Sequence, residues 1–523
     1  MAQKIYTLDT TLRDGMQGMD VSFSVEDKLK IVTLLDELGI DFIEAGNPGS
    51  NIKDEEFFKK AMSLPLTHSK IIAFGSTRKV GITAEEDDNL CKLCSASTDI
   101  VVIFGKAWDL HVFDVLRTTP EENINMIKDS IRYLREQGKE VFFDAEHFFD
   151  GYKNNPEYAL DVLRAAADSG ASYVVLCDTN GGTFSQEIIE ITQRAAAAVS
   201  TPIGIHTHND CGMAVATTIA GVIGGATQVQ GTLTGIGERC GNANLSTIMT
   251  NLQLKMGFTV TTAENLQQLT PITRSIAEIS NSSTAGMPYV SKSAFAHKAG
   301  MHINAVLKNP KSFEHIAPEL VGNERNILLS EMAGRSAILP LIQKIMPDID
   351  RDSPMVDTVL KNLKNMEFKG YQYEAAEASM DLAIRKALGI YNSFFDVQKF
   401  TVLVEQTTEK ESAGASAVIK VAVGDAVEIT AADSDGPVHA IDIALRKALH
   451  VFYPILDTMQ LIDYKVRVLN SEAATAAMVR VLIDTTDGKN VWSTVGVSTD
   501  VIEASKIALI DSIEYKLTME KGD

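Results

Sequence analysis

Cysteine is scarce: there are five in 523 residues, an odd number without a repeated paired spacing. That excludes a disulfide framework and predicts a reduced, cytoplasmic chain. The one close pair, Cys91 and Cys94 in "CKLC", falls in a polar helical stretch with no second such motif, and reads as two ordinary thiols. Long apolar runs are also missing. None reaches the roughly 20 residues that cross a bilayer, so no membrane partner is expected. The opening stretch "MAQKIYTLDTTLRDG" has neither the apolar centre of a signal peptide nor the arginine-rich character of a transit peptide. Positive charge is in deficit, with 48 Lys and Arg against 69 Asp and Glu, a net charge of −21. Nucleic acid is thereby excluded as a main partner, because such binding needs a basic face. What remains is ordinary for a globular chain: 45% hydrophobic and 22% charged residues. The length predicts about two to four domains.

Short β-branched runs alternate with amphipathic segments through the first half. The strand candidates are "KIYTLD", "IDFIEAG", "KIIAFG", "DIVVIFG", "EVFFDAEH", "YVVLCDT", "PIGIHTH" and "TQVQGTL". Between them lie helical patterns such as "SVEDKLKIVTLLDELG" and "PEYALDVLRAAADSG", the second with Ala159, Leu163 and Ala166 on one face and a stop at Gly170. Eight such units predict an α/β fold, a (β/α)₈ TIM barrel over residues 1–270, with an open doubly wound sheet as the rival. Residues 271–398 lose the rhythm and read as helical linker subdomains, with "SKSAFAHKAGMHINAV" and "EMAGRSAI" as distinctive pieces. Residues 399–523 read as a small duplicated α+β module. "AVIKVAVGDAVEITAADSDGPVHAIDIALRKAL" is echoed by "AAMVRVLIDTTDGKNVWSTVGVSTDVIEASKIALIDSIEYKL", each half strand, strand or loop, then helix.

In a barrel, chemistry collects at the C-terminal strand ends, and polar residues collect there in this sequence. Asp9, Arg13, Asp14, Glu44, Asn47, Arg78, Lys106, Glu146, Asp178 and Thr179 follow the first six strands. The seventh ends in "HTHND", where His206 and His208, two apart on a strand, point to the same face. Closure places strand eight beside strands seven and one, which brings together Asp14, His206, His208 and Asn242. Two imidazoles, a carboxylate and an amide oxygen can hold a divalent cation, Mn²⁺, Zn²⁺, Co²⁺ or Mg²⁺, with positions left for substrate. The plainer roles are a loop cap for Asp14 and a helix N-cap for Asn242. Arg13 is a clamp for an anionic oxygen beside the cation, or one half of an ion pair with Glu146 or Glu44.

The motifs "DTTLRDGMQG", "HTHNDCGMAVA" and "GERCGNANL" resemble the signatures of the isopropylmalate, homocitrate and citramalate synthases, acetyl-CoA-dependent Claisen condensation enzymes. "FSVEDKLKI", "PGSNIKDEEFF", "FDAEHFFDGY", "AFAHKAGMH" and "PELVGNER" are most similar to the citramalate branch. The resemblance implies metal ligation by Asp14, His206 and His208, with Asn242 in or near the shell. It implies that Arg13, Gln17 and Thr179 bind the 2-oxoacid, that Glu146 helps position it, and that His302 of "AGMHINAV" helps deprotonate acetyl-CoA. In the family that histidine acts across a homodimer; His297 is the competing residue here. Three positions depart from the branch: Asn47 stands for Trp, Phe313 for Tyr, and Thr217 for Asn.

The implied reaction joins acetyl-CoA to pyruvate, giving citramalate and CoA on a route to isoleucine, with isoleucine as the expected effector of the duplicated module. The alternatives are an isopropylmalate synthase acting on 2-oxoisovalerate, a retro-Claisen lyase of the same barrel superfamily, and a catalytically silent amino-acid sensor.

Overall fold

All eight expected runs form strands: β1 (Tyr6–Asp9), β2 (Phe42–Glu44), β3 (Lys70–Ser76), β4 (Ile100–Lys106), β5 (Glu140–Glu146), β6 (Tyr173–Asp178), β7 (Ile203–Thr207) and β8 (Gln228–Gly231). They pair in parallel, in sequence order, and close into a barrel. The structure is a computed structural model that describes residues 2–298, 300–327, 334–405, 414–469 and 477–521. Residues 331–333 of the "EMAGRSAI" piece and Ala299 of "AFAHKAGMH" lie outside them.

Barrel strands are covered on both faces, which is why β4 reads as an apolar run, "IVVIFG", up to Lys106 at its end. Leu8, Ile72, Ile100, Val102 and Phe142 pack inside the barrel with Phe42, Phe74 and Tyr173. A larger cluster, including Ile31, Leu35, Ile43, Val101, Phe143 and Val174, seals the strands to the surrounding helices. Local signals set the helix limits. In Val25–Leu38, Ser24 and Asp27 form a reciprocal capping box and Gly39 ends the helix at φ 80°, a left-handed conformation suited to glycine. Pro156–Asp168 begins on Asn155, which accepts from the Tyr158 N–H, and stops two residues before Gly170.

The chain divides into two compact units, Met1–Ala296 with His315–Asn326, and His297–Glu314 with Ile327–Asp523. In the second, helices such as Pro354–Phe368 and Glu377–Leu388 share a core with Val495 and Val497. The duplication is present and larger than the reading above. Strands Asp396–Glu405, Gly414–Val423 and Ala426–Ser434 form one antiparallel sheet, followed by helix Pro437–His450. Gln460–Val468, Val479–Thr486 and Val491–Ser498 form the second, followed by helix Val501–Lys521. Each half therefore carries a leading strand that the sequence reading missed.

Candidate active site

The turn after β1 is pinned from both sides. The Asp9 carboxylate accepts from the Thr11 N–H and hydroxyl at 2.9 and 3.0 Å, and the Thr10 hydroxyl donates to Glu44 at 2.7 Å. That fixes the turn that carries Arg13 and Asp14 to the barrel mouth. Arg13 Nε donates to Glu44 Oε2 at 2.6 Å, its Nη1 lies 3.1 Å from Asp14 Oδ2, and its guanidinium stacks 3.9 Å from the centre of the Phe74 ring. Of the two ion pairs open to Arg13, the structure selects Glu44; Glu146 pairs instead with Lys106, its register neighbour on β4.

His206 and His208 both point at Asp14. Their Nε2 atoms lie 3.4 and 3.9 Å from Asp14 Oδ2 and 3.2 Å from each other. One ligand atom from each of the three buried residues falls within 4.8 Å of the others, which is the geometry of a cation site. His208 forms an isolated bridge with Asn242, so the amide arrives beside the triad from the loop after β8. A Cβ at Gly237 would fall 2.1 Å from Asn242 Nδ2, so that close approach requires glycine. Asn242 does not cap the following helix; Asn244 does, accepting from the Thr247 N–H. Asp14 occupies the cap position of the turn Gly15–Gln17 but makes no side-chain cap bond, which frees its carboxylate.

The donor set fits a divalent cation. Asp14 Oδ1 and Asn242 Oδ1 are buried acceptors without a hydrogen-bond partner among the described residues. Leaving such atoms unpaired is costly, and a cation satisfies both. Burial opposes charge on Asp14, but Arg13 and His206 outweigh it and hold the carboxyl well below its usual range. Burial, then the charge of His206, lowers His208 to about 4, so at neutral pH its ring is uncharged and offers one nitrogen lone pair. Arg13 stays charged because Glu44 and Asp14 overcome its burial.

Across the mouth, the backbone turns sharply at His147, a non-glycine residue at φ 56°. Its N–H donates to Thr179 Oγ1 at 2.9 Å, tying the end of β5, and with it Glu146, to the end of β6. Arg239 then grips Asp210 with two bonds of 2.8 Å and the Thr179 carbonyl at 2.7 Å, joining the loops after β6, β7 and β8. Gln17 is exposed in the turn following Asp14. In the second unit, His302 is exposed and stacks on Phe313 with ring centres 4.1 Å apart. His297 is buried, with Nε2 3.1 Å from Glu314 Oε1.

Three family models cover the chain in order: HMGL-like over residues 4–276, the homocitrate synthase post-HMGL domain over 289–370, and the LeuA allosteric (dimerisation) domain over 374–517. An (R)-citramalate synthase of Aquifex aeolicus is 51% identical, across 100% of this chain and 99% of its own. One from Geobacter sulfurreducens is 48% identical, across 98% and 97%. The chain belongs to the citramalate synthase family. A 2-isopropylmalate synthase of Methanocaldococcus jannaschii is similar at 29%, across 98% of this chain and 94% of its own.

The three departures from the branch pattern find local explanations. Asn47 Oδ1 accepts from the Gly49 N–H at 2.7 Å while its own N–H donates to Asp54, so it closes the loop after β2. Thr217 donates to the carbonyls of Met213 and Ala214 and is buried in helix Ala214–Gly224. Phe313 retains the ring that stacks on His302 without a hydroxyl.

Some residues of the barrel interior and its mouth escaped the sequence reading. Gln228 and Gln230, two apart on β8, are fully buried and face inward with Asp144 of β5. The signal was present: two polar residues at strand period in an apolar run, as with the histidines. Trp108, His111 and His147 form an aromatic group beside Glu146, with His111 and His147 4.3 Å apart. Trp108 and His111 come from the segment after β4 and His147 from the turn after β5, so the full group is not announced by any local spacing.

Proposed function

We propose that this chain condenses acetyl-CoA with pyruvate to give (R)-citramalate and CoA, on a route to isoleucine. The observation that carries the reading is the buried Asp14–His206–His208 cluster with Arg13 locked beside it. Full-length similarity to citramalate synthases supports the substrates. A divalent cation held by Asp14, His206 and His208, with Asn242 alongside, would polarise the ketone of the 2-oxoacid. Arg13 neutralises the charge that develops on that oxygen, and its Glu44 partner keeps the guanidinium aimed. Gln17 and Thr179 bind the oxoacid, while Glu146, steered by Lys106, positions it. His302 removes a proton from the acetyl methyl. The resulting carbanion attacks C2 of pyruvate, and the former ketone oxygen takes up a proton. Water then cleaves the thioester C–S bond, releasing CoA and making the sequence irreversible in practice.

Phe74 stacks on Phe104 and covers one face of Arg13, and full-length similarity to citramalate synthases supports a small oxoacid beside that clamp. Thiol release from acetyl-CoA should therefore show its highest kcat/KM with pyruvate in a panel of 2-oxoacids. An extra methylene or two in an apolar pocket changes selectivity by only about 10–200-fold each, so the ranking matters more than its width. A clear preference for 2-oxoisovalerate would select the isopropylmalate reading. No thiol release with any oxoacid would select the silent sensor.

The proposed division of labour is catalysis in 1–270, linkage in 271–398 and regulation with dimerisation in 399–523. The match of 374–517 to an allosteric dimerisation domain supports the last part. So do exposed apolar residues on its sheets, among them Val427, Ile429, Ile462 and Val466. No described helix is long and apolar enough to cross a membrane; the low cysteine content supports a cytoplasmic location, and the dimerisation-domain match supports a homodimer. Isoleucine is the proposed effector, acting through a coupling of about 1–3 kcal/mol. In the thiol-release assay, isoleucine at about millimolar levels should lower the rate. Calorimetry on the full chain showing no heat with isoleucine, leucine or valine would leave the module a dimerisation device alone.

A further inference from the structure

We propose that Gln230 is a positioning residue that locks the His206 imidazole with its Nε2 lone pair facing the cation site, and is itself locked by Asp144 and Gln228. The inference rests on the reading that Asp14, His206 and His208 hold a divalent cation. His206 and Gln230 are register partners on β7 and β8, and Gln230 Oε1 lies 3.1 Å from His206 Nδ1. Both side chains are buried.

An imidazole has two nitrogens and, when neutral, one proton. If Nδ1 donates to an oxygen, the Nε2 lone pair is free for a cation; if Nδ1 accepts from an amine, the proton moves to Nε2 and ligation there is blocked. An amide can offer either end, so something must choose. Behind Gln230, Gln228 Oε1 stands 3.2 Å and Asp144 Oδ1 3.5 Å from Gln230 Nε2. Two acceptors placed there hold the NH₂ group and turn Oε1 toward His206. The relay runs from β5 through the barrel interior to β7, so the tautomer of a ligand is set by residues that never reach the mouth. Partners of this kind tune metal affinity by about 10–100-fold.

The test uses the full-length protein loaded with Zn²⁺ and labelled with ¹⁵N-histidine. His206 should carry zinc at Nε2 and a proton at Nδ1. Gln230→Leu, similar in size but without an acceptor, should lose about 10–100-fold in zinc affinity by chelator competition. Gln230→Glu, which restores an acceptor, should keep most of it. Wild-type protein that takes up no zinc would refute the cation site itself. Wild-type protein that binds zinc while Gln230→Leu matches its affinity would overturn the positioning role. Should the leucine variant not fold, zinc on Nδ1 of His206 in the wild type would overturn it equally.

Discussion

His208→Ala abolishes condensation and leaves the barrel folded: that is the expected result at the cation site. Polarisation by a bound metal is worth several kcal/mol of transition-state stabilisation. At 1.36 kcal/mol per tenfold, its loss lowers kcat/KM by roughly 10³-fold or more. The fold does not depend on this ring. The apolar residues that fill the barrel and seal its helices form clusters to which His208 does not belong. The unfolding transition of the metal-free variant should therefore match that of the metal-free parent. Exhaustive chelation of the parent should reproduce the loss of activity, and a divalent ion should reverse it. Full turnover after exhaustive chelation would remove the metal from the mechanism and reduce Asp14, His206 and His208 to a structural cluster.

The site was legible where chemistry follows strand periodicity. His206 and His208 share a face because they are two apart, and closure of the barrel supplied Asp14 from the neighbouring region without further assumption. Partner choice was not legible. The sequence offered Arg13 either Glu44 or Glu146, and the outcome turned on register: Lys106 sits directly beside Glu146, while the Thr10 hydroxyl and Arg13 both reach Glu44 on β2. The capping role of Asn244 rather than Asn242 was likewise decided by a two-residue difference in where the helix starts. In the duplicated module, the leading strands "DVQKFTVLVE" and "QLIDYKVRV" are mostly exposed, yet a signal was present, since Phe400, Val402 and Val404 in the first and Tyr464, Val466 and Val468 in the second recur at strand period. Their pairing is set by the neighbouring strand of the same sheet.

His302→Ala is expected to lower kcat by about 10²–10⁴-fold, the usual cost of removing a general base, while oxoacid binding stays near normal. The choice of His302 over His297 gains support from their surroundings. His297 is buried against the Glu314 carboxylate, an arrangement that occupies its ring nitrogen. His302 is exposed and stacks on the Phe313 ring. A base must reach its proton within hydrogen-bond distance in the complex, so an exposed imidazole of fixed orientation suits the task better than a buried, paired one. Because the proton is taken in the chemical step, the loss should fall on kcat, with pyruvate affinity by calorimetry unchanged. His297→Ala should differ in kind, removing a buried partner of Glu314 and showing first as a lower unfolding midpoint. Normal turnover in His302→Ala would overturn the assignment and move proton abstraction to His297 or to water.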